Sequence, residues 1–285
     1  MKALLLADFK RAWCSRLTRI SFVIALGLGI AAACIQISAY LNTIDYVVSH
    51  LDMKVAMPYS NSAYGNWIVI RMLQAIPNLF FFIAPFLIGL ANSASLRTEI
   101  DNGYAQQILT RTSRPQYYLS KFLVTFILGG LIVALPLAVN FIMCANFIPA
   151  YQPEPQDITA LGMNDSVILS EMFFRYPLAY VVVKTLLDFV LAGFWAVALL
   201  GLSLLIKNRV TLLCASYIAL VAIKLFSERT YVLFKINGPC LTLMDLLRKH
   251  GDVNNPSWEV IIINIVICAI LSLLIPYLMR KRDVL

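Results

Sequence analysis

Phe122 to Ile148, FLVTFILGGLIVALPLAVNFIMCANFI, runs for twenty-seven residues without one charged side chain. A helix needs about 20 residues to cross the ~30 Å hydrocarbon core of a bilayer, so this stretch is long enough to span it. Lipid offers no partner to backbone N–H and C=O groups, which leaves only helices and closed barrels as crossing structures. The stretch is continuously apolar, whereas a barrel strand would alternate, so it reads as a helix.

Five further runs of the same kind flank it: Ile20 to Leu41, Leu73 to Leu96, Leu178 to Ile206, Val210 to Phe226 and Trp258 to Met279. The composition agrees. Of 285 residues, 60% are hydrophobic and 13% charged, where a soluble domain carries about 45–50% apolar residues. The expected fold class is all-α: a polytopic membrane protein of six transmembrane helices in one domain, residues 1–285.

Orientation follows from Lys and Arg, which accumulate on the cytoplasmic side of membrane proteins. With the N-terminus inside, fourteen of the 23 bases fall on that side and seven on the other, and Lys184 and Lys224 lie within spans. Both termini are thus expected in the cytoplasm. The net charge of +8 sits at the ends of spans, where anionic lipid attracts it. No extramembrane segment is large enough to form a nucleic-acid reading surface.

Catalytic and metal chemistry finds little support. Cys34, Cys144, Cys214 and Cys268 fall inside spans, Cys14 is cytoplasmic and Cys240 is external, so no external pair exists for a disulfide. The run Ala31 to Cys34 faintly matches a lipoprotein processing site, but its apolar stretch continues to Tyr40, as in an uncleaved first span. His50 and His250 lie in different outer loops and no C-x-x-C occurs, so no metal ligand set is expected. The chain lacks the phosphate-cradling loop of an ATPase as well as H-E-x-x-H and G-x-S-x-G, and Asp188 is the one carboxylate deep in a span. It is not expected to be an enzyme or to bind a cofactor itself.

The longest polar stretch lying directly between two strongly apolar segments is Arg97 to Lys121, RTEIDNGYAQQILTRTSRPQYYLSK. Glu99 and Asp101 precede Gly103, a helix breaker. The following YAQQILTRTSR can form a short helix with Tyr104, Ile108 and Leu109 towards one face and Arg111 and Arg114 nearby. Pro115 suits the first turn of the next helix, and Tyr117, Tyr118 and Lys121 sit at the interface, where rings and long bases are favoured. Physical reading leaves two possibilities open: a helix made to dock in a groove on a soluble partner, or a charged connector.

The order Glu99, Gly103, ILTRTSR and Lys121 at the junction of second and third spans resembles the coupling segment of the type-two ABC export permeases. Arg111-Thr112-Ser113 departs from the apolar-Pro-apolar step that usually precedes the Arg. The six-span layout, the basic N-terminal segment and the longer outer segment 227–257 resemble the family over nearly the whole chain. The resemblance implies an export permease of the bacterial cytoplasmic membrane, with ATPase coupling through Glu99, Asp101, Gly103, Tyr104, Ile108, Arg111 and Arg114. It implies ATP and Mg bound by separate ATPase subunits, and a second copy or a related permease completing the unit.

Two other regions carry polar signals. Residues 1–19 can form a membrane-surface helix, with Leu4, Leu5, Phe9, Ala12 and Trp13 towards lipid and Lys10, Arg11 and Arg16 towards phosphates; the plainer reading is a positive anchor. In the fourth span Lys184 and Asp188 are four apart, on one helical face. They either neutralise one another or line the export route. Pro77, Pro85, Pro136 and Pro276 are expected to kink their helices, with Asn78 and Asn140 placed to satisfy freed groups. A secondary transporter or channel, and a non-transporting accessory or immunity protein, remain as other classes; no internal repeat supports the former. Short outer loops favour small amphipathic or lipid-like cargo over folded polypeptides.

Overall fold

A computed structural model describes residues 2–50, 62–70, 74–154, 161, 163, 167–206, 208–234, 242–248 and 258–279, and among them every regular element is helical. The elements are α1 (Lys2–Cys14), α2 (Arg16–His50), α3 (Ala75–Leu90), α4 (Ser95–Asp101), α5 (Tyr104–Leu109), α6 (Arg114–Phe147), α7 (Ser170–Arg175), α8 (Pro177–Leu202), α9 (Arg209–Phe234), α10 (Leu243–Leu246) and α11 (Trp258–Met279).

Five stretches are long and apolar enough to cross a membrane: Arg16–Tyr46, Ala75–Asp101, Arg114–Phe147, Pro177–Leu202 and Arg209–Phe226. They coincide with the first five apolar runs, and the described residues make an all-helical chain suited to multiple crossings. The sixth run is helical over Trp258–Met279, with an apolar stretch at Ile261–Leu273. Cys240, His250 and residues 280–285 lie outside the described residues, as do the side chains of His50 and Pro276.

α6 is the central helix, packed on α2 on one side and α8 on the other. Between helices in lipid there is no hydrophobic drive, so small residues that let backbones approach do the work. A Cβ added to Gly130 would lie 2.7 Å from the Phe189 carbonyl oxygen, and one added to Gly129 would lie 2.4 Å from Ala196 Cβ. On the far side, a Cβ at Gly29 of α2 would stand 3.0 Å from Pro136 Cβ. Outward-facing positions stay apolar, with Ile24, Val182, Leu186, Ile218, Phe226 and Ile263 exposed.

The second crossing is broken inside the run Leu73 to Leu96, which the sequence showed as continuous. α3 ends at Leu90, and Asn92 takes a left-handed φ of 60°, which Asn tolerates better than most residues. Its side-chain amide donates to Thr125 Oγ1 of α6 at 2.9 Å, and Ser93 donates to the Gly89 carbonyl. Pro85 and Pro136 lie inside helices, whereas Pro77 falls in the first turn of α3, where a missing N–H interrupts nothing.

At the end of the bundle away from α1 and α5, residues 62–70 form a run of turns in which all nine residues are buried. Asn140 of α6 binds this run to α2: its Oδ1 accepts from the Ile68 N–H and its Nδ2 donates to the Gly29 carbonyl, both at 3.0 Å. Trp67 Nε1 donates to the Leu137 carbonyl at 3.1 Å. Rings continue the contact from Trp67 through Tyr180 to Phe173, with centroids 6.3 and 5.2 Å apart.

Candidate functional site

The densest set of charges gathers where α1, α4 and α6 meet. Asp8 lies on the face of α1 that also carries Leu4 and Ala12, one turn to either side, so a carboxylate occupies an otherwise apolar stripe. It is 3% exposed. Lys121 Nζ of α6 donates to Asp8 Oδ1 at 2.7 Å, and Ser120 Oγ donates to Asp8 Oδ2 at 2.6 Å. The same ammonium donates to Glu99 Oε1 of α4 at 2.5 Å. Glu99 accepts further from the Tyr117 hydroxyl at 2.7 Å and from Arg11 Nη1 of α1 at 2.8 Å.

Two carboxylates and two bases therefore form a neutral cluster. Three of its members are buried, with side chains no more than 9% exposed, while Arg11 stays 44% exposed. Removing water from charges is costly, and such a cluster holds only because each charge finds several partners. Arg11 also lies over the Tyr104 ring at 3.9 Å. Burial works against its charge, but hydrogen bonds to Tyr104 and Glu99 outweigh that and hold the guanidinium above its ordinary value.

Gly103 ends α4 and caps α5 with φ at 71°, the left-handed region that glycine enters without a Cβ clash. The reversal turns α5 back against α6. Ala105 is buried, and Ile108 and Leu109 pack with Leu96, Tyr117 and Leu200. The apolar face that the sequence offered to a partner is thus half-buried against the chain's own core. Gln106, Gln107 and Arg111 remain exposed on this hairpin, and Arg114 is exposed at the foot of α6. Asp101 is exposed and paired with Arg97, four residues before it, at 2.7 Å.

On α1, Lys10 is exposed and Phe9 and Trp13 are 36% and 43% exposed, with stacked rings 6.2 Å apart. Ala12 is buried rather than turned outward, and Arg11 reaches inward to Glu99. Asp8 and the multiple bonding of Lys121 are the parts of this cluster that sequence reading did not assign. The signal for Asp8 was present, since a carboxylate flanked at four-residue spacing by Leu4 and Ala12 requires a cation from elsewhere.

A second ionic pair lies inside α8. Lys184 donates to Asp188 Oδ1 and, at 3.3 Å each, to the carbonyls of Leu246 and Leu247 at the end of α10. Asp188 is fully buried, and its Oδ2 has no hydrogen-bond partner. An apolar cavity of about 380 Å³ opens between α8, α9 and α11, lined by Leu191, Trp195, Leu220, Ile267 and Leu271 among others. Lys184 and Asp188 do not line it. Among the described residues no cluster of His, Cys, Asp and Glu could hold a metal ion. No family model matches the chain, and comparison with curated proteins and with solved structures gives no match either.

Proposed function

We propose that the chain is the membrane-spanning subunit of an ATP-driven ABC exporter. In this reading Trp258–Met279 makes the sixth crossing, both termini and the 97–121 segment are cytoplasmic, and the host membrane is the bacterial cytoplasmic membrane. Separate ATPase subunits bind ATP and Mg, and a second copy or a related permease completes the unit.

The observation that carries the reading is the hairpin α4–Gly103–α5, bound to two other elements at once. Its exposed Gln106, Gln107 and Arg111 are the groups a soluble partner would meet. Its inner groups, Glu99 and Tyr104, are held by Lys121 of α6 and Arg11 of α1. A push on α5 is therefore delivered to the foot of the central helix and to α1 rather than absorbed by a loose connector.

Copurification of an ATPase whose turnover depends on this chain tests the reading. A left-handed backbone costs a residue with a Cβ roughly 1–2 kcal/mol, and no atom lies within 4 Å of a Cβ at position 103. Gly103→Val should thus leave the spans inserted while lowering permease-dependent ATP turnover and export together, as should Glu99→Ala. A cysteine at Gln106 should be labelled from the cytoplasmic side alone. Parent-like turnover and export in both variants, or labelling of position 106 from outside, would sink the proposal.

A further inference from the structure

The apolar cavity beside α8 is a wedge whose walls part along the bundle. At one end the helices close tightly: a Cβ added to Gly201 of α8 would lie 3.0 Å from the Leu271 carbonyl oxygen of α11, and one added to Gly89 of α3 would lie 2.7 Å from Leu213 Cδ2 of α9. Away from that end α11 packs on α8 while α9 packs on α3 and α8, and a space of about 380 Å³ opens between them. α9 is the least enclosed crossing, with 17% of its apolar window buried against 39–61% for the other four. Ile223, Ile263 and Ile267 line the space and also stay exposed, so its mouth faces the bilayer.

Among the described lining residues none is charged. The Trp195 N–H donates to the Pro85 carbonyl at 3.2 Å and the Ser216 hydroxyl to the Leu213 carbonyl at 3.1 Å, so both donors are already used within the protein. Cavities walled by Leu, Ile and Phe stay dry and take up apolar guests. The lining extends from Leu191 to Leu202 on α8 and from Ile263 to Leu271 on α11. At 1.5 Å per residue these stretches are roughly 12–17 Å long, about half of the ~30 Å hydrocarbon core, which is the depth that one leaflet's acyl chains fill.

From this match of length, lining and mouth we propose that the groove holds one acyl chain of a bilayer lipid, wedged between α9 and α11 and selected by its tail rather than its head group. The site rests on embedding in a membrane and not on the exporter reading, so either can fail alone. The chain supplies the dispersion contacts that the parted walls lack. A helix of a second copy, about 10–12 Å across, would need roughly twice the volume over the same length.

Trp195 makes the occupant readable by fluorescence. Trp13 and Trp258 are exposed, and replacing both by Phe leaves Trp195 and the fully buried Trp67 as emitters in the full chain. In neutral detergent, phosphatidylcholine brominated midway along one acyl chain should quench Trp195, and phosphatidylglycerol with the same chain should quench it to the same depth. Ala219→Phe and Cys268→Phe fill the groove from α9 and α11 and should each abolish the quenching, whereas Ile218→Phe, on the exposed face of α9 outside the lining, should leave it intact. Both fillers should melt no lower than the parent, as expected when an apolar ring takes up empty space. No quenching in the parent overturns the proposal, and quenching that persists in both filled proteins does so as well, since it would mark an ordinary contact at the protein's surface. Fillers that both melt below the parent would show that the space is not there to fill, which also overturns it. Quenching by phosphatidylglycerol alone would make the head group the selecting part and refute the tail reading. Quenching that appears only after a dimer is diluted to monomers would give the groove to a second copy and refute the lipid.

Discussion

Replacing Lys121 by Met isolates the cluster that ties α1 to α4 and α6. The change removes the ammonium that bridges Asp8 and Glu99 but keeps a side chain of similar length. Glu99 retains Arg11 at 2.8 Å and Tyr117 at 2.7 Å, whereas Asp8 keeps only the Ser120 hydroxyl. The loss is thus dominated by one carboxylate with a 2% exposed side chain and no remaining cation. Breaking a buried pair from one side costs about 3–5 kcal/mol. At about 2–4 °C per kcal/mol for a chain of a few hundred residues, even the lower figure lowers the unfolding midpoint by roughly 6–12 °C. Apparent midpoints at one fixed scan rate, on protein purified in detergent, provide the measurement. Adding Asp8→Asn to Lys121→Met should recover most of the loss, because a neutral pair replaces a stranded charge. A Lys121→Met protein as stable as the parent, or a double variant no better than the single one, would refute the account of the cluster.

Three further outcomes follow from the helix contacts. Asp188→Ala should destabilise by about 3–5 kcal/mol through its stranded partner ammonium, measured by the same thermal scan. Exchanging Lys184 and Asp188 should also destabilise, because a carboxylate at position 184 would face the Leu246 and Leu247 carbonyls, which are acceptors; unchanged stability on exchange would show that those carbonyls do not matter. Gly130→Ala drives a Cβ against the Phe189 carbonyl and should cost roughly 1–3 kcal/mol as overpacking. Helices α6 and α8 cannot be as close as described if that variant melts with the parent.

The crossings were legible because the bilayer imposes a one-dimensional test: a run is long and apolar enough, or it is not. That test located Phe122 to Ile148 and its four companions on the observed helices, whose ends differ from those of the runs by up to nine residues. Residue type alone placed Pro115 in the first turn of α6 and the reversal at Gly103, since both depend on local backbone geometry. Contacts between distant elements left no such trace. Lys121 read as a base at the interface, because its partners Asp8 and Glu99 come from α1 and α4. The break at Asn92 was hidden for the same reason, the amide's acceptor Thr125 lying 33 residues further on. Spacing revealed that Lys184 and Asp188 share a face, but not that Lys184 also reaches α10.

The buried run at residues 62–70 sets an order of events during synthesis. Turns cannot rest in hydrocarbon with their backbone groups bare, and this run is accepted only where protein surrounds it. Its Ile68 N–H and Trp67 indole are satisfied by Asn140 and Leu137 of α6, which leave the ribosome about seventy residues later. Until the third crossing enters the membrane, the link between the first two must therefore wait at the water interface. A nascent chain halted before residue 137 should hold α2 and α3 as separate helices, and the seal between them closes only when α6 arrives.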